Sequence, residues 1–167
     1  MKISKSVIEA IARGDVGVMP TDTIYGIVAS INFPASIERI YRAKARAKSK
    51  AMVHLVGDIS QLSLLGVEPS KTEFSALEHL WPGPVSVIFD CDYTLAYVKG
   101  DKPTIAVRLP RPLWLRELVK ATGPIVATSA NLSGKPSLHD INEIERDLPG
   151  LDFYVNGPVG TTPSKLA

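Results

Sequence analysis

The residues best equipped for chemistry fall in a few short stretches. One is VMPTDTIYGIVA at 18–29, where Thr21, Asp22, Thr23, Tyr25 and Gly26 stand between two apolar segments. A plain connection between buried segments needs a glycine or an asparagine. Three hydroxyls and a carboxylate imply instead that a small polar object faces them. A second is RAKARAKSK at 42–50, in which Arg42, Lys44, Arg46, Lys48 and Lys50 recur at every second position. Side chains two apart diverge on a helix and share a face on an extended chain. A helix that ends near Ala45 and continues extended would present a cationic ridge suited to phosphates; a solvated helix end is the alternative. A third is IVATSANLSG at 125–134, an apolar strand opening onto Thr128, Ser129, Asn131, Ser133 and Gly134. Polar groups at the carboxyl end of such a strand lie where α/β sheets bind ligands, and Ser and Asn beside free backbone N–H groups can hold phosphate or ribose oxygens. A capped turn uses the same residues.

Arg108 interrupts the apolar stretch TIAVRLP at 104–110. A lone buried guanidinium is costly, so Arg108 is exposed on one face, paired with an acidic neighbour, or gripping a carboxylate. His54 lies in MVHLV with Met52 and Val56 on its own face, a pattern that suits a core histidine as well as a ligand. WPGP at 81–84 reads as a rigid corner around Trp81. No GxxxxGK[ST] phosphate loop, GxSxG nucleophile elbow, HExxH or Cys/His metal spacing occurs. His79 and His139 have no companion pattern. The single cysteine, Cys91, sits between Asp90 and Asp92, which does not favour a thiolate, and it reads as structural.

These groups need a scaffold, and periodicity supplies one. Helices are expected over Ser4–Arg13 (stopped by Gly14), Ala35–Ala45, Ser70–Leu80, Leu113–Ala121 (stopped by Gly123 and Pro124) and Asp140–Asp147. Strands are expected over Val16–Met19, Ala51–Val56, Val85–Phe89, Thr104–Leu109, Ile125–Thr128 and Phe153–Val155. Helices and short apolar strands alternate, which implies an α/β fold with a sheet covered by helices. The 167 residues, 45% hydrophobic and 22% charged, are enough for one domain with a real core. A net charge of +2 permits a local basic face without requiring nucleic acid. One cysteine excludes an internal disulfide, and no 18-residue apolar run or signal-peptide pattern occurs, so a cytoplasmic protein with no membrane partner is expected.

In order along the chain, PTDTIYG, KAR, WPGP, VRLP and TSANLSG resemble the YrdC-like family, the threonylcarbamoyl-AMP synthases of the tRNA t6A pathway. Each motif is weak alone, and the resemblance covers nearly the whole chain. It implies a single-domain α/β twist fold, residues 1–167, with a mixed sheet flanked by helices around a concave basic cavity. It implies a nucleotidyltransferase that joins L-threonine, bicarbonate or CO2, and ATP into threonylcarbamoyl-adenylate and pyrophosphate, with Mg²⁺ on the triphosphate and no dedicated carboxylate cage for the metal. A partner transferase complex would then modify adenosine 37 of tRNA. The family's KxR…SxN signature falls on Lys44, Arg46, Ser129 and Asn131. The resemblance assigns Arg46, Lys50, Asn131 and Thr104 to ATP, and Thr23, His54, Arg108 and Ser129 to L-threonine.

Two departures from the family pattern stand out. Ala47 occupies the place of a usual proline, which implies a looser loop for Arg46 and Lys50. The chain stops at GTTPSKLA, with Pro163, Ser164 and Lys165 where the family carries PST, so a shortened C-terminal end and no second domain are expected. The rival is a non-catalytic protein of the same fold binding tRNA or double-stranded RNA through its basic face; such a protein has no use for Thr23, Ser129 and Arg108 in one pocket.

Overall fold

The computed structural model describes all residues except Lys2, Ser49, 92–102, Thr161, Pro163 and Ser164. Its centre is a sheet of eight strands: β1 (Gly17–Pro20), β2 (Tyr25–Ser30), β3 (Val53–Leu55), β4 (Val85–Asp90), β5 (Thr104–Arg108), β6 (Ile125–Ser129), β7 (Phe153–Tyr154) and β8 (Lys165–Leu166). Their order is β7-β1-β2-β6-β3-β5-β4-β8. The sheet is mixed. The β1–β7, β3–β5 and β4–β8 pairs are parallel and the other four antiparallel. Around it stand α1 (Lys5–Ala12), α2 (Pro34–Ala43), a 3-10 helix (Ile59–Leu65), α3 (Lys71–Leu80), α4 (Leu113–Thr122) and α5 (Ile141–Asp147).

Alternation along the strands divides the interior in two. Ile27, Ala29, Val107 and Val126 face a first core that receives Ile37, Ile40 and Tyr41 of α2 and Ile144 of α5. Val28, Leu55 and Ile125 face a second core closed by Ile11 of α1 and by Leu115, Leu118 and Val119 of α4. The spacing of those apolar residues is the helical one. Pro34 occupies the first turn of α2, where its missing N–H costs nothing. Gly14 and Gly123 follow α1 and α4 at φ of 96° and 76°, a conformation that a side chain disfavours.

The expected helices and strands all form, with ends displaced by a residue or two. Tyr25–Ser30, read in sequence only as an apolar segment, is the strand β2. The 3-10 helix and β8 carry no periodic signal and were not expected. Of the two readings of 42–50, the cationic ridge fails. After α2 the chain does not run extended: Lys44 keeps a helical conformation, Ala45 turns left-handed at φ 47°, and the Lys50 amide returns to the Ala47 carbonyl at 3.0 Å. No single-faced cationic ridge forms. Lys44 points inward, Arg46 turns back on its own loop, and Lys48 pairs with Glu38 at 2.7 Å. The reading of Pro163 and Ser164 lies outside the described residues. Among the described residues no helix is long and apolar enough to cross a membrane.

Candidate functional site

The β1–β2 connection is a tight polar knot. The Thr21 amide and hydroxyl both donate to the Ile24 carbonyl, at 3.2 and 2.7 Å, and the Thr23 amide donates to the Thr21 hydroxyl at 3.2 Å. The two hydroxyls stand 3.1 Å apart. These bonds satisfy the turn from within and fix where Thr23 and Asp22 stand. Asp22 enters a buried ion pair with Arg108, Oδ1 to Nη2 at 2.9 Å, with side-chain exposures of 2% and 4%. Burial pushes the Asp22 carboxyl up, and the adjacent guanidinium pulls it partly back. Burial likewise lowers Arg108, against the pull of Asp22; a guanidinium is so basic that it keeps its charge.

The second anchor is Lys44, whose residue exposure is 1%. Its Nζ donates to the backbone carbonyls of Ser129 and Asn131 and lies 3.3 Å from the Asn131 Oδ1. Desolvation, helped by the nearby Arg46 charge, brings its pKa from 10.5 down to about 8. It is still an ammonium at neutral pH, held by carbonyl dipoles. The Asn131 amide group donates to the Lys135 carbonyl, and the Ser133 amide to that of Lys44. The KxR and SxN motifs therefore meet, and Lys44 fastens one to the other. Arg46 donates through Nε to the Lys50 carbonyl at 3.1 Å and through Nη2 to that of Ala51 at 2.7 Å. Its pKa is lowered by partial burial.

Between these parts lies a cavity of about 190 Å³. Gly26, Val53 and Ala127 line it. Gly26 stands opposite Ser129, and Val53 opposite Ala127, two residues back along β6 on the same face. Small side chains leave this part of the sheet open. A Cβ on Gly26 would come within 3.0 Å of the Thr21 methyl group. Of the residues that the resemblance assigns to the site, Thr23, Arg46, Arg108 and Ser129 line the cavity together, beside Thr21, Tyr25 and Thr128 of the same motifs.

The others stand elsewhere. Lys44 and Asn131 are buried behind the wall, engaged with each other. Lys50 is exposed and gives its carbonyl to Arg46. Thr104 begins β5, two residues before the Ala106 that pairs with Val53, and is half-buried without lining the cavity. His54 is 1% exposed, its Nδ1 3.1 Å from the Ala106 carbonyl, in register with Val107 and Val126 of the first core. Sequence reasoning missed the partnership of Asp22 with Arg108. The signal was present, since a strand arginine on an apolar background requires an anion and Asp22 is the acid of the polar knot. The part played by Ala127 carries no such signal. Among the described residues, no three His, Cys, Asp or Glu side chains are grouped to hold a metal ion.

Fold and site thus define an α/β protein with a small mixed polar cavity over an open part of its sheet, walled by two arginines and by hydroxyls. The chain belongs to the Sua5/YciO/YrdC family, whose model, described as "Telomere recombination", matches residues 9–165. It is 35% identical over 154 residues to the threonylcarbamoyl-AMP synthase of Bacillus subtilis, covering 89% of this chain and 44% of that protein. It is 29% identical to the synthase of Aliivibrio fischeri over 99% of this chain and 94% of that one. The structure of Pyrococcus abyssi Sua5 complexed with L-threonine superposes with a TM-score of 0.79 at 25% identity, over 96% of this chain and 46% of the other. The chain therefore spans less than half the length of the Bacillus and Pyrococcus proteins.

Proposed function

We propose that this protein is a threonylcarbamoyl-AMP synthase, forming threonylcarbamoyl-adenylate and pyrophosphate from L-threonine, bicarbonate or CO2, and ATP, for t6A modification of tRNA. The observation that carries the reading is the cavity that gathers Thr23, Arg46, Arg108 and Ser129. Its 190 Å³ is below the roughly 300–1,000 Å³ of pockets for drug-sized ligands. It suits an amino acid, with a nucleotide reaching in from the open side. In this reading Arg108 takes the threonine carboxylate, and Thr23 and Ser129 bond its polar groups. Arg46 stands at the phosphates; Lys50, Thr104 and Asn131, which do not line the cavity, are nucleotide contacts by the family resemblance alone. Binding of L-threonine by a structural relative supports the amino-acid assignment.

The chemistry asks for positioning more than for a nucleophilic side chain. The threonine amine adds to CO2, giving a carbamate and releasing a proton. A carbamate oxygen then attacks the α-phosphorus of ATP, and the bond to the β-phosphate oxygen breaks to release pyrophosphate. Arg46 neutralises charge that develops on the phosphates. Mg²⁺ carried in with ATP would offset part of the triphosphate charge, beside the Arg46 that this chain supplies. A nucleotide seated in the open side would keep water from the labile carbamate. The product is passed to a transferase complex acting on adenosine 37.

Pyrophosphate release from ATP and bicarbonate tests the proposal. Release should depend on L-threonine and be much weaker with L-serine, because the threonine methyl group contributes packing that serine lacks. Folded protein that binds tRNA in a salt-dependent manner but releases no pyrophosphate with threonine would overturn it in favour of an RNA-binding relative.

A further inference from the structure

The Asp22–Arg108 pair differs from the other ion pairs among the described residues. Those involve side chains between 26% and 90% exposed, whereas this one is 2% and 4% exposed. Burying two charges is expensive, and an apolar pair of the same size would often be as stable. Such a pair is worth keeping where it sets geometry. Arg108 lines the cavity and Asp22 does not. Asp22 is held from one side by the self-bonded turn 21–24, and Arg108 from the other by the β5 ladder. The Ser86 hydroxyl, 3.3 Å from Nη1, steadies the opposite corner of the guanidinium.

We propose that Asp22 is a positioning residue, whose buried carboxylate sets the Arg108 guanidinium against the cavity so that it can take the carboxylate of an α-amino acid. Asp22 touches no ligand. It removes the rotational freedom that an arginine otherwise loses on binding, and it balances the guanidinium's charge. Because the pair has no net charge, Arg108 offers directed donors rather than a bare cation. That favours a zwitterion over a polyanion such as inorganic phosphate. The identity of the amino acid rests on the threonine reading above; the positioning does not.

Two measurements test it on the whole chain. In protein labelled with ¹⁵N-arginine, the Arg108 Nη protons, assigned by their loss in Arg108→Lys, should give separate signals from hindered rotation. Asp22→Asn should merge them. In the pyrophosphate assay, Asp22→Asn should raise KM for L-threonine at least tenfold with KM for ATP within twofold of wild type, and Asp22→Glu should recover part of the loss. Freely rotating Arg108 in the wild type, or an unchanged threonine KM in Asp22→Asn, overturns the proposal. If the wild type itself does not use threonine, the functional reading fails alone and the Arg108 signals still decide the positioning. If Asp22→Asn does not fold, the wild-type signals and the Asp22→Glu KM decide it.

Discussion

Lys44 and Arg46 are two residues apart, carry the same charge and belong to one motif, yet they do different work. Lys44 is buried with its ammonium on the carbonyls of 129 and 131. Arg46 lines the cavity. Replacing Lys44 by Met removes the ammonium from both carbonyls, although that of Ser129 still accepts from the Asn131 amide at 3.0 Å. The expected cost is about 1–3 kcal/mol in urea unfolding, from the lost hydrogen bonds to buried acceptors. The pH dependence follows from a folded-state pKa lowered to about 8 from 10.5. Between those values the unfolded chain binds the extra proton, so the contribution of this group to stability rises with pH across that window and is lost as pH falls through about 8. The stability gap between wild type and Lys44→Met should therefore widen from pH 7.5 to pH 10. A gap that stays constant would show that Lys44 titrates as an ordinary lysine. His54 shows the same principle in reverse: in the strand MVHLV its neighbours on one face are core residues, and it is buried with them.

At the scale of elements, the site depends on how one segment buttresses another. The turn 21–24 is backed by the segment that follows β7. The Tyr25 hydroxyl lies 2.9 Å from the Asn156 Oδ1 and 2.8 Å from the Gly157 carbonyl, and it accepts from the Gly157 amide at 3.1 Å. Gly160 passes so close that a Cβ would stand 2.7 Å from the Thr23 carbonyl oxygen. Tyr25→Phe should cost about 1–2 kcal/mol through the lost hydrogen bonds, and the Gly157 amide should exchange with solvent markedly faster in hydrogen-exchange NMR. Gly160→Ala should displace this segment from the turn and weaken ligand binding at Thr23 with little loss of global stability. Equal binding by wild type and Gly160→Ala would show that the segment does not support the turn.

At the scale of the molecule, Asp152 ties three elements together just before β7. It accepts from the Val16 amide at 2.7 Å ahead of β1, and from both Nη atoms of Arg39 on α2 at 2.7 and 3.1 Å. The Arg39 hydrogen bond, foremost, holds its carboxyl below the usual range. A depressed carboxyl contributes stability above its unfolded pKa and loses it as pH falls through the folded value. Asp152→Asn should thus lower Tm at pH 7, and the difference should shrink as pH falls below about 4.

The helices and most strands were legible from sequence because apolar periodicity, Pro34 and the stop glycines act locally. By itself the sequence also settled the α/β class and, through five short motifs in order, the family. The strand order was not legible, because β6 pairs with β2 and β3, segments far from it along the chain. Nor was the division of labour within the site. Alternating cations suggested one ridge, but burial of Lys44 offers an ammonium the carbonyls of a distant loop, and the chain turns at Ala45 to allow it. Arg108 left three readings open in sequence, and only the placement of β5 beside the turn 21–24 chose the pair with Asp22. Such contacts depend on distances across the sheet, which no local pattern of residues encodes.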